Sequence, residues 1–169
     1  KNNYDLQDYR GDERYTLWDL DLKTRQHEIT NYRLEQIADM ELYFGELSQL
    51  EDYTIVVSTT GEYLSENANI ESYLQMLGSF HEFAEGSKVW VIDNKENIYT
   101  SSGREFLVNM PLSYGELVLS GTNGNTSVLV DRVSFCKVTD GVNILIYDNL
   151  QGKVVSVTGF DAKNSYIMV

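Results

Sequence analysis

The feature that most constrains the fold of this 169-residue chain is a long series of short strand patterns in its second half. From residue 104 onward, apolar and β-branched segments are separated by turns rich in Gly and Asn, a pattern typical of antiparallel hairpins. Six strands are predicted there, at residues 106–110, 116–120, 127–130, 133–138, 142–147 and 153–160. This half of the chain is therefore expected to form antiparallel sheets.

The middle of the chain mixes strands with helices. Residues 54–58 (TIVVS) and 88–92 (KVWVI) are continuous apolar runs, typical of strands that are buried on both faces. Apolar residues recur at helical spacing over residues 34–50 and 67–77, and Gly78 follows the second segment as a helix-ending glycine does. Helices in the middle and strands at the end favour an α+β fold, with β-sandwich-like antiparallel sheets and two helices packed on them.

The first part of the chain is less regular. Residues 1–14 are polar and acidic and are interpreted as a leader, and residues 15–32 have a strand–turn–strand pattern that predicts a hairpin. A similar pattern recurs at residues 142–160, which is explained equally well by a common hairpin length or by an internal repeat. Residues 15–169 are expected to form a single domain, since a chain of this length is usually one domain.

The charge of the chain limits its partners. It has 13 Lys and Arg against 26 Asp and Glu, a formal net charge of −13, and its 42% apolar content excludes a disordered acidic tail. Negative charge repels phosphate groups, so nucleic acid and anionic membranes are not expected partners. No apolar run reaches the roughly 18 residues needed to cross a bilayer. Because the chain begins at Lys1, we expect a processed or excised piece whose signal or membrane anchor lies outside it.

Catalytic and metal-binding patterns are weak in this sequence. His27 and His81 stand in no catalytic motif and are interpreted as surface residues. The single cysteine, Cys136, alternates within an apolar segment and is expected to be a buried structural thiol. Acids at residues 19–21 and 93–97 have oxygen-ligand spacing but lack the glycine of a calcium loop, which favours solvated turns. We therefore expect no enzyme activity, no metal and no cofactor.

Aromatic residues give the remaining indication of function. Sugar-binding surfaces combine flat aromatic faces with Asn, Asp and Glu side chains, and the chain is rich in both kinds of residue. Five aromatic residues fall at predicted strands or turns: Trp18, Tyr63, Trp90, Tyr114 and Tyr147. Most aromatic residues of a β-rich domain belong to its core, so each of the five is more readily explained as a core residue than as a ligand contact.

Two regions together resemble a known family. Residues 114–135 (YGELVLSGTNGNTSVLVDRVSF) and 140–161 (DGVNILIYDNLQGKVVSVTGFD) are similar to the opening strands of the interleukin-like EMT inducer family, also called the GG domain. Residues 34–92, with TIVVS, LGS at 77–79 and KVWVI, resemble its later half. The order is therefore either that of one permuted domain, or the end of one copy at 15–100 followed by the start of another at 104–169.

The resemblance implies a location and a kind of activity. Similar domains occur as secreted proteins, as the sugar-binding stem of a Golgi glycosyltransferase, and as extracytoplasmic parts of bacterial membrane proteins linked to glycosyl transfer. We therefore expect a noncatalytic extracytoplasmic module that binds glycan or cell-envelope polymer, within a larger surface or membrane-anchored protein. Two alternatives stay open: a structural or protein-interaction domain used in assembly, and an acid-pair hydrolase.

The same resemblance implies candidate ligand-binding residues, namely Glu62, Tyr63 and Trp90, which flank the loops that face the ligand in the stem domain. The chain also departs from that domain. Where the stem places two arginines and an acidic pair, this sequence has Asp140, Thr60–Gly61 and residues 85–86. The same sugar is therefore not expected to be held by the same contacts.

Overall fold

In the computed structural model, the described residues are 31–33, 44–45, 47–61, 77, 87–103, 105–162 and 166–168. Within them the chain is mostly antiparallel β structure, arranged in two sheets. In chain order the described strands are β1 (Asn31–Arg33), β2 (Tyr53–Thr60), β3 (Ser87–Asp93), β4 (Glu96–Gly103), β5 (Phe106–Leu112), β6 (Gly115–Thr122), β7 (Asn125–Val130), β8 (Val133–Ser134), β9 (Gly141–Asp148), β10 (Lys153–Asp161) and β11 (Tyr166–Met168). The antiparallel sheets expected from the sequence are confirmed.

The larger sheet has seven strands in the order β1-β11-β10-β9-β2-β3-β4. Its interior strand β2 pairs with β9 on one side and β3 on the other; Thr54 lies opposite Tyr147 and Asp93. All eight residues of β2 and of β9 are buried. Burial on both faces explains why these strands are continuous apolar runs in the sequence instead of alternating ones.

The smaller sheet has four strands in the order β5-β6-β7-β8. Its buried and exposed residues alternate along each of the first three strands, because one face packs on the core and the other meets solvent. Asn123 and Gly124 connect β6 to β7 with φ angles of 51° and 82°. Positive φ at both residues is the two-residue hairpin turn whose twist matches that of paired strands.

The two sheets pack face to face around one hydrophobic core. Its buried residues come from both sheets: Val56, Val89, Val91, Leu117, Leu119, Val128, Val130, Leu145, Tyr147 and Val157. At one end the sheets are joined by hydrogen bonds, since the Thr126 hydroxyl donates to the Thr59 carbonyl at 2.6 Å and the Thr126 amide donates to Thr60 Oγ1 at 3.1 Å. The architecture is therefore a β-sandwich.

The outer face of the larger sheet is also covered. Phe44, Gly45, Leu47 and Leu77 are helical, and the Phe44 ring lies 5.6 Å from that of Phe160 on this face. These residues fall within the two helices predicted from the sequence, but most of both segments lies outside the described residues. Two complete helices on the sheet therefore stay a prediction. The leader at 1–14 and most of the hairpin at 15–32 also lie outside the described residues.

One predicted strand was wrong in extent. Instead of running over residues 133–138, β8 ends at Ser134, because the Asn143 side chain accepts hydrogen bonds from the amides of Lys137 and Val138 in place of a neighbouring strand. Cys136 is consequently exposed instead of buried, with its thiol 3.9 Å from the Thr126 carbonyl oxygen. The expectation of a buried structural thiol was therefore also wrong.

Candidate functional site

Among the described strands, four connections meet at one end of the sandwich, which we call the turn end. They are residues 94–95 between β3 and β4, 113–114 between β5 and β6, 131–132 between β7 and β8, and 149–152 between β9 and β10. The strand register brings the connections of the larger sheet together, since Tyr53 lies opposite Asp148 and Thr54 opposite Asp93. The Ser113 hydroxyl of the smaller sheet donates to the Asn149 carbonyl. Connections from both sheets therefore share one surface.

The connection between β9 and β10 is held in a fixed shape by Asp148, which is fully buried. Its Oδ1 accepts hydrogen bonds from the amides of Leu150 and Gln151, both at 2.9 Å, and its carbonyl accepts one from the amide of Gly152 at 2.8 Å. A carboxylate that accepts amides two and three residues later is a strong local turn former. The turn predicted from the sequence here is confirmed.

The connection at 113–114 docks onto this turn. The Ser113 hydroxyl donates to the Asn149 carbonyl at 2.8 Å. Gly152 has a φ of 69°, and a side-chain carbon built on it would lie 2.8 Å from Cβ and Cδ2 of Tyr114. Gly152 thus supplies both a left-handed turn conformation and the space beneath the Tyr114 ring. Tyr114 is supported by the turn yet is 71% exposed.

A cleft of about 250 Å³ opens beside these two connections. It lies between the sheets and takes residues from both. Its lining is Thr54, Asp93, Ile98, Met110, Pro111, Leu112, Ser113 and Asn149. The polar members come from the ends of β2 and β3 and from two of the turns, whereas β4 and β5 supply the apolar ones. The cleft therefore has one polar side and one apolar side.

Three of the four polar side chains, those other than Ser113, form one hydrogen-bonded group. The Thr54 hydroxyl oxygen is 2.9 Å from Asp93 Oδ1 and 2.8 Å from Asn149 Oδ1, and Asn149 Nδ2 donates to Asp93 Oδ1 at 3.0 Å. Thr54 is buried, whereas Asp93 and Asn149 are half-buried. The oxygen atoms of these three side chains line the cleft, and the carboxylate and amide oxygens among them can only accept hydrogen bonds.

A β-bulge places an apolar side chain on the opposite side. Val91 pairs with Tyr99 and Ile92 pairs with Asn97, so Ile98 is the extra residue on β4. Ile98 is 52% exposed and lines the cleft together with Met110 and Pro111. Pro111 is tolerated in β5 because this strand is at the edge of its sheet. The bulge and the edge strand together form the apolar side.

Of the candidate residues implied by the family resemblance, the structure describes only Trp90. Trp90 is fully buried in the middle of β3, and its indole Nε1 donates to the Leu77 carbonyl at 3.2 Å. It therefore presents no exposed ring face to a ligand. Glu62 and Tyr63 lie outside the described residues. Trp90 is therefore a core residue and does not line the cleft, whereas the roles of Glu62 and Tyr63 stay predictions.

The cleft was not predicted from the sequence, although the sequence contains one indication of it. Asp93-Asn94 and Asp148-Asn149 each follow an apolar strand, and these two dipeptides flank Thr54 once β3 and β9 pair with β2. The sequence does not reveal which strands are neighbours, so the two dipeptides could not be placed together. Of the five aromatic residues considered, Tyr114 is at the turn end, and Tyr147 is a core residue.

Comparison with known proteins adds no further information about this site. No protein-family model matches the sequence, and no curated protein or solved structure matches the chain significantly. The resemblance to the interleukin-like EMT inducer family therefore stays a prediction. At this point the chain is classed by its architecture alone, as an antiparallel β-sandwich with an oxygen-lined cleft between its sheets.

Two further properties concern only the described part of the chain. Its helical residues include no segment long and apolar enough to span a membrane. Nor do three or more His, Cys, Asp or Glu side chains in the described ranges group closely enough to hold a metal ion.

Proposed function

We propose that the chain is a noncatalytic recognition module that binds a glycan or cell-envelope polymer through the turn end, as part of a larger extracytoplasmic protein. The observation that carries the proposal is the combination of an exposed, supported Tyr114 ring with the adjacent cleft. The extracytoplasmic location rests on the resemblance of residues 34–92 and 114–161 to a family found outside the cytoplasm.

Each part of the turn end suits a sugar. A pyranose presents C–H groups on its ring faces and hydroxyl groups at its edge, so it is bound by aromatic or apolar surfaces together with a few placed polar groups. Tyr114 offers a flat face that is held by the turn at Gly152. Ser113 lines the cleft and precedes Tyr114 directly, so one chain of sugars could contact both.

Thermal unfolding with a panel of glycans and cell-wall fragments tests this function. A ligand that binds only the folded chain raises its stability by RT ln(1 + [L]/Kd), which is about 2.7 kcal/mol at a hundredfold excess over Kd. The proposal predicts a reproducible rise in Tm with at least one class of saccharide. A panel with no rise at millimolar concentrations would reject it.

Removing the Tyr114 ring is the first site-directed prediction. We expect Tyr114→Ala to weaken glycan binding about tenfold, which corresponds to about 1.4 kcal/mol, whereas Tyr114→Phe keeps the ring face and stays within about threefold of the wild type. Titration calorimetry measures both. Val133→Ala is the matched control, because Val133 is 55% exposed at the same end without lining the cleft. Equal affinity of the Tyr114→Ala and wild-type proteins would place the ligand elsewhere.

A structural or assembly role is the second candidate, and one observation favours it. On the solvent face of the smaller sheet, Leu107 is 74% exposed, and Val118 and Leu129 are half-buried on the same face. These three side chains are apolar, and Glu116 lies on the same face two residues from Val118, so a second copy would cover an apolar patch with an acidic edge. A sharp dimer in light scattering, together with a glycan panel that gives no rise in Tm, would favour this role.

A further inference from the structure

We propose that the cleft binds a protonated primary amine carried by an amino sugar. This inference rests on the proposed glycan-binding function and deepens it by naming the chemical group that enters the cleft. It follows from the hydrogen-bonding capacity of the cleft, from the charge around it and from its size.

The polar side of the cleft has one hydrogen-bond donor fewer than its short oxygen contacts require. A threonine hydroxyl donates a single hydrogen bond, yet Thr54 Oγ1 lies within 2.9 Å of Asp93 Oδ1 and 2.8 Å of Asn149 Oδ1, both of which are acceptors. One of these two short oxygen contacts therefore has no hydrogen between its atoms. Thr54 is 4% exposed, so the acceptors that a ligand in the cleft can reach are those of the half-buried Asp93 and Asn149. A ligand that donates hydrogen bonds completes this arrangement, whereas one that only accepts them does not.

The carboxylate of Asp93 favours a donor that also carries positive charge. Its Oδ1 accepts from Asn149 and lies 2.9 Å from the Thr54 hydroxyl oxygen, whereas no described residue donates to its Oδ2. Asp93 is half-buried, and a charge-assisted hydrogen bond in such a position is stronger than one between neutral groups. An ammonium group supplies three donors from one atom and neutralises the carboxylate.

Among the described residues around the cleft, acidic side chains outnumber basic ones. Those of the turn end are Glu51, Asp52, Asp93, Glu96, Glu116, Asp131 and Asp148 against Lys95, Arg132 and Lys153. The Lys95 ammonium is already paired with Glu51 at 2.9 Å. A cleft surrounded by one sign of charge attracts ligands of the opposite sign. Acidic saccharides are therefore disfavoured and amino saccharides favoured.

The apolar side of the cleft favours a sugar as the carrier of the amine. Ile98, Met110 and Pro111 face the polar residues across a cleft of about 250 Å³. That volume is below the roughly 300–1,000 Å³ of pockets for drug-sized molecules, and it suits a single monosaccharide unit. The apolar side chains would cover the C–H face of the ring while its amine reaches Asp93.

The test compares three ligands on the intact chain by titration calorimetry. They are a tetramer of glucosamine, the same tetramer fully N-acetylated, and a lysine-containing tetrapeptide as an amine without a sugar. We expect the amino tetramer to bind at least about tenfold more tightly than the acetylated one, the size of one lost charge-assisted hydrogen bond. Raising the salt concentration from about 0.05 M to about 0.5 M should reduce this preference.

A pair of variants locates the preference at Asp93. Asp93→Asn keeps the size of the side chain but removes its charge, and we expect it to lower the affinity for the amino tetramer at least about tenfold. Glu96→Gln removes one charge from the same end at a residue outside the cleft lining, and it should change that affinity less than about threefold. The wild-type ligand comparison does not depend on whether either variant folds.

The outcomes separate this inference from the proposed function. Equal binding of the amino and acetylated tetramers overturns the amine inference while glycan recognition stands. Binding of the peptide but of neither tetramer overturns the amino sugar as the carrier of the amine, and the full glycan panel then decides the glycan function. Binding of none of the three ligands overturns the amine inference, and the full glycan panel then decides the function separately.

Discussion

Replacing Trp90 by alanine is expected to lower the free energy of unfolding by about 3–5 kcal/mol, the range for removing a large aromatic side chain from a core. Trp90 is fully buried, and its Nε1 donates to the Leu77 carbonyl at 3.2 Å. The substitution removes the ring and this hydrogen bond together, and it leaves a cavity against the outer face of the larger sheet. Urea-induced unfolding followed by circular dichroism measures the loss.

Trp90→Phe separates the two contributions of the indole. It keeps an apolar ring but leaves the Leu77 carbonyl without this donor, so we expect a smaller loss, about 1–3 kcal/mol. Tyr114→Ala serves as the exposed control and should cost less than about 0.5 kcal/mol, as surface substitutions usually do. A Trp90→Ala protein with wild-type stability but no glycan binding would contradict the core role and revive the ligand-binding role implied by the family resemblance.

Replacing Asn143 by alanine is the second large effect, an expected loss of about 2–4 kcal/mol in the free energy of unfolding, because buried groups would lose their hydrogen-bond partner. Asn143 is 2% exposed. Its Oδ1 accepts from the amides of Lys137 at 2.7 Å and Val138 at 3.1 Å, and its Nδ2 donates to the Val138 carbonyl at 3.1 Å. One side chain thus holds the segment between β8 and β9.

The matched control for this variant is Asn109→Ala, which removes the same group from an exposed position on β5 and should change stability by less than about 0.5 kcal/mol. Amide hydrogen exchange gives a second measurement. In the Asn143→Ala protein the amides of Lys137 and Val138 should exchange faster, while those in the centre of β2 stay protected. Unchanged exchange at residues 137 and 138 would contradict the role assigned to Asn143.

The strands were predictable because their signal is local. Residues 54–58, 88–92, 142–147 and 153–160 fall within β2, β3, β9 and β10, each of which extends one or two residues further at one end or both. Continuous apolar runs reflect burial on both faces, and alternation in β5 to β7 reflects burial on one. Both patterns can be recognised from residues that are neighbours in the sequence.

The parts that depend on distant residues could not be predicted in this way. The early end of β8 depends on Asn143, which is nine residues beyond Ser134, and the exposure of Cys136 follows from it. The cleft depends on β2 lying between β3 and β9, a pairing that joins segments far apart in the chain. Tryptophan is a residue type that often stacks on ligands, and only the order of the strands in the sheet shows that Trp90 belongs to the core.

Mapping glycan binding by backbone amide chemical shifts in two-dimensional NMR tests the central claim most directly, because it locates the ligand without any substitution. The account predicts shift changes at residues 93–95, 98, 113–114 and 149–152 as an amino saccharide is added, with residues 60–61, 123–124 and 139–141 at the opposite end unchanged. Changes confined to that opposite end, or the absence of any change at saturating concentrations, would contradict the assignment of the turn end as the recognition site.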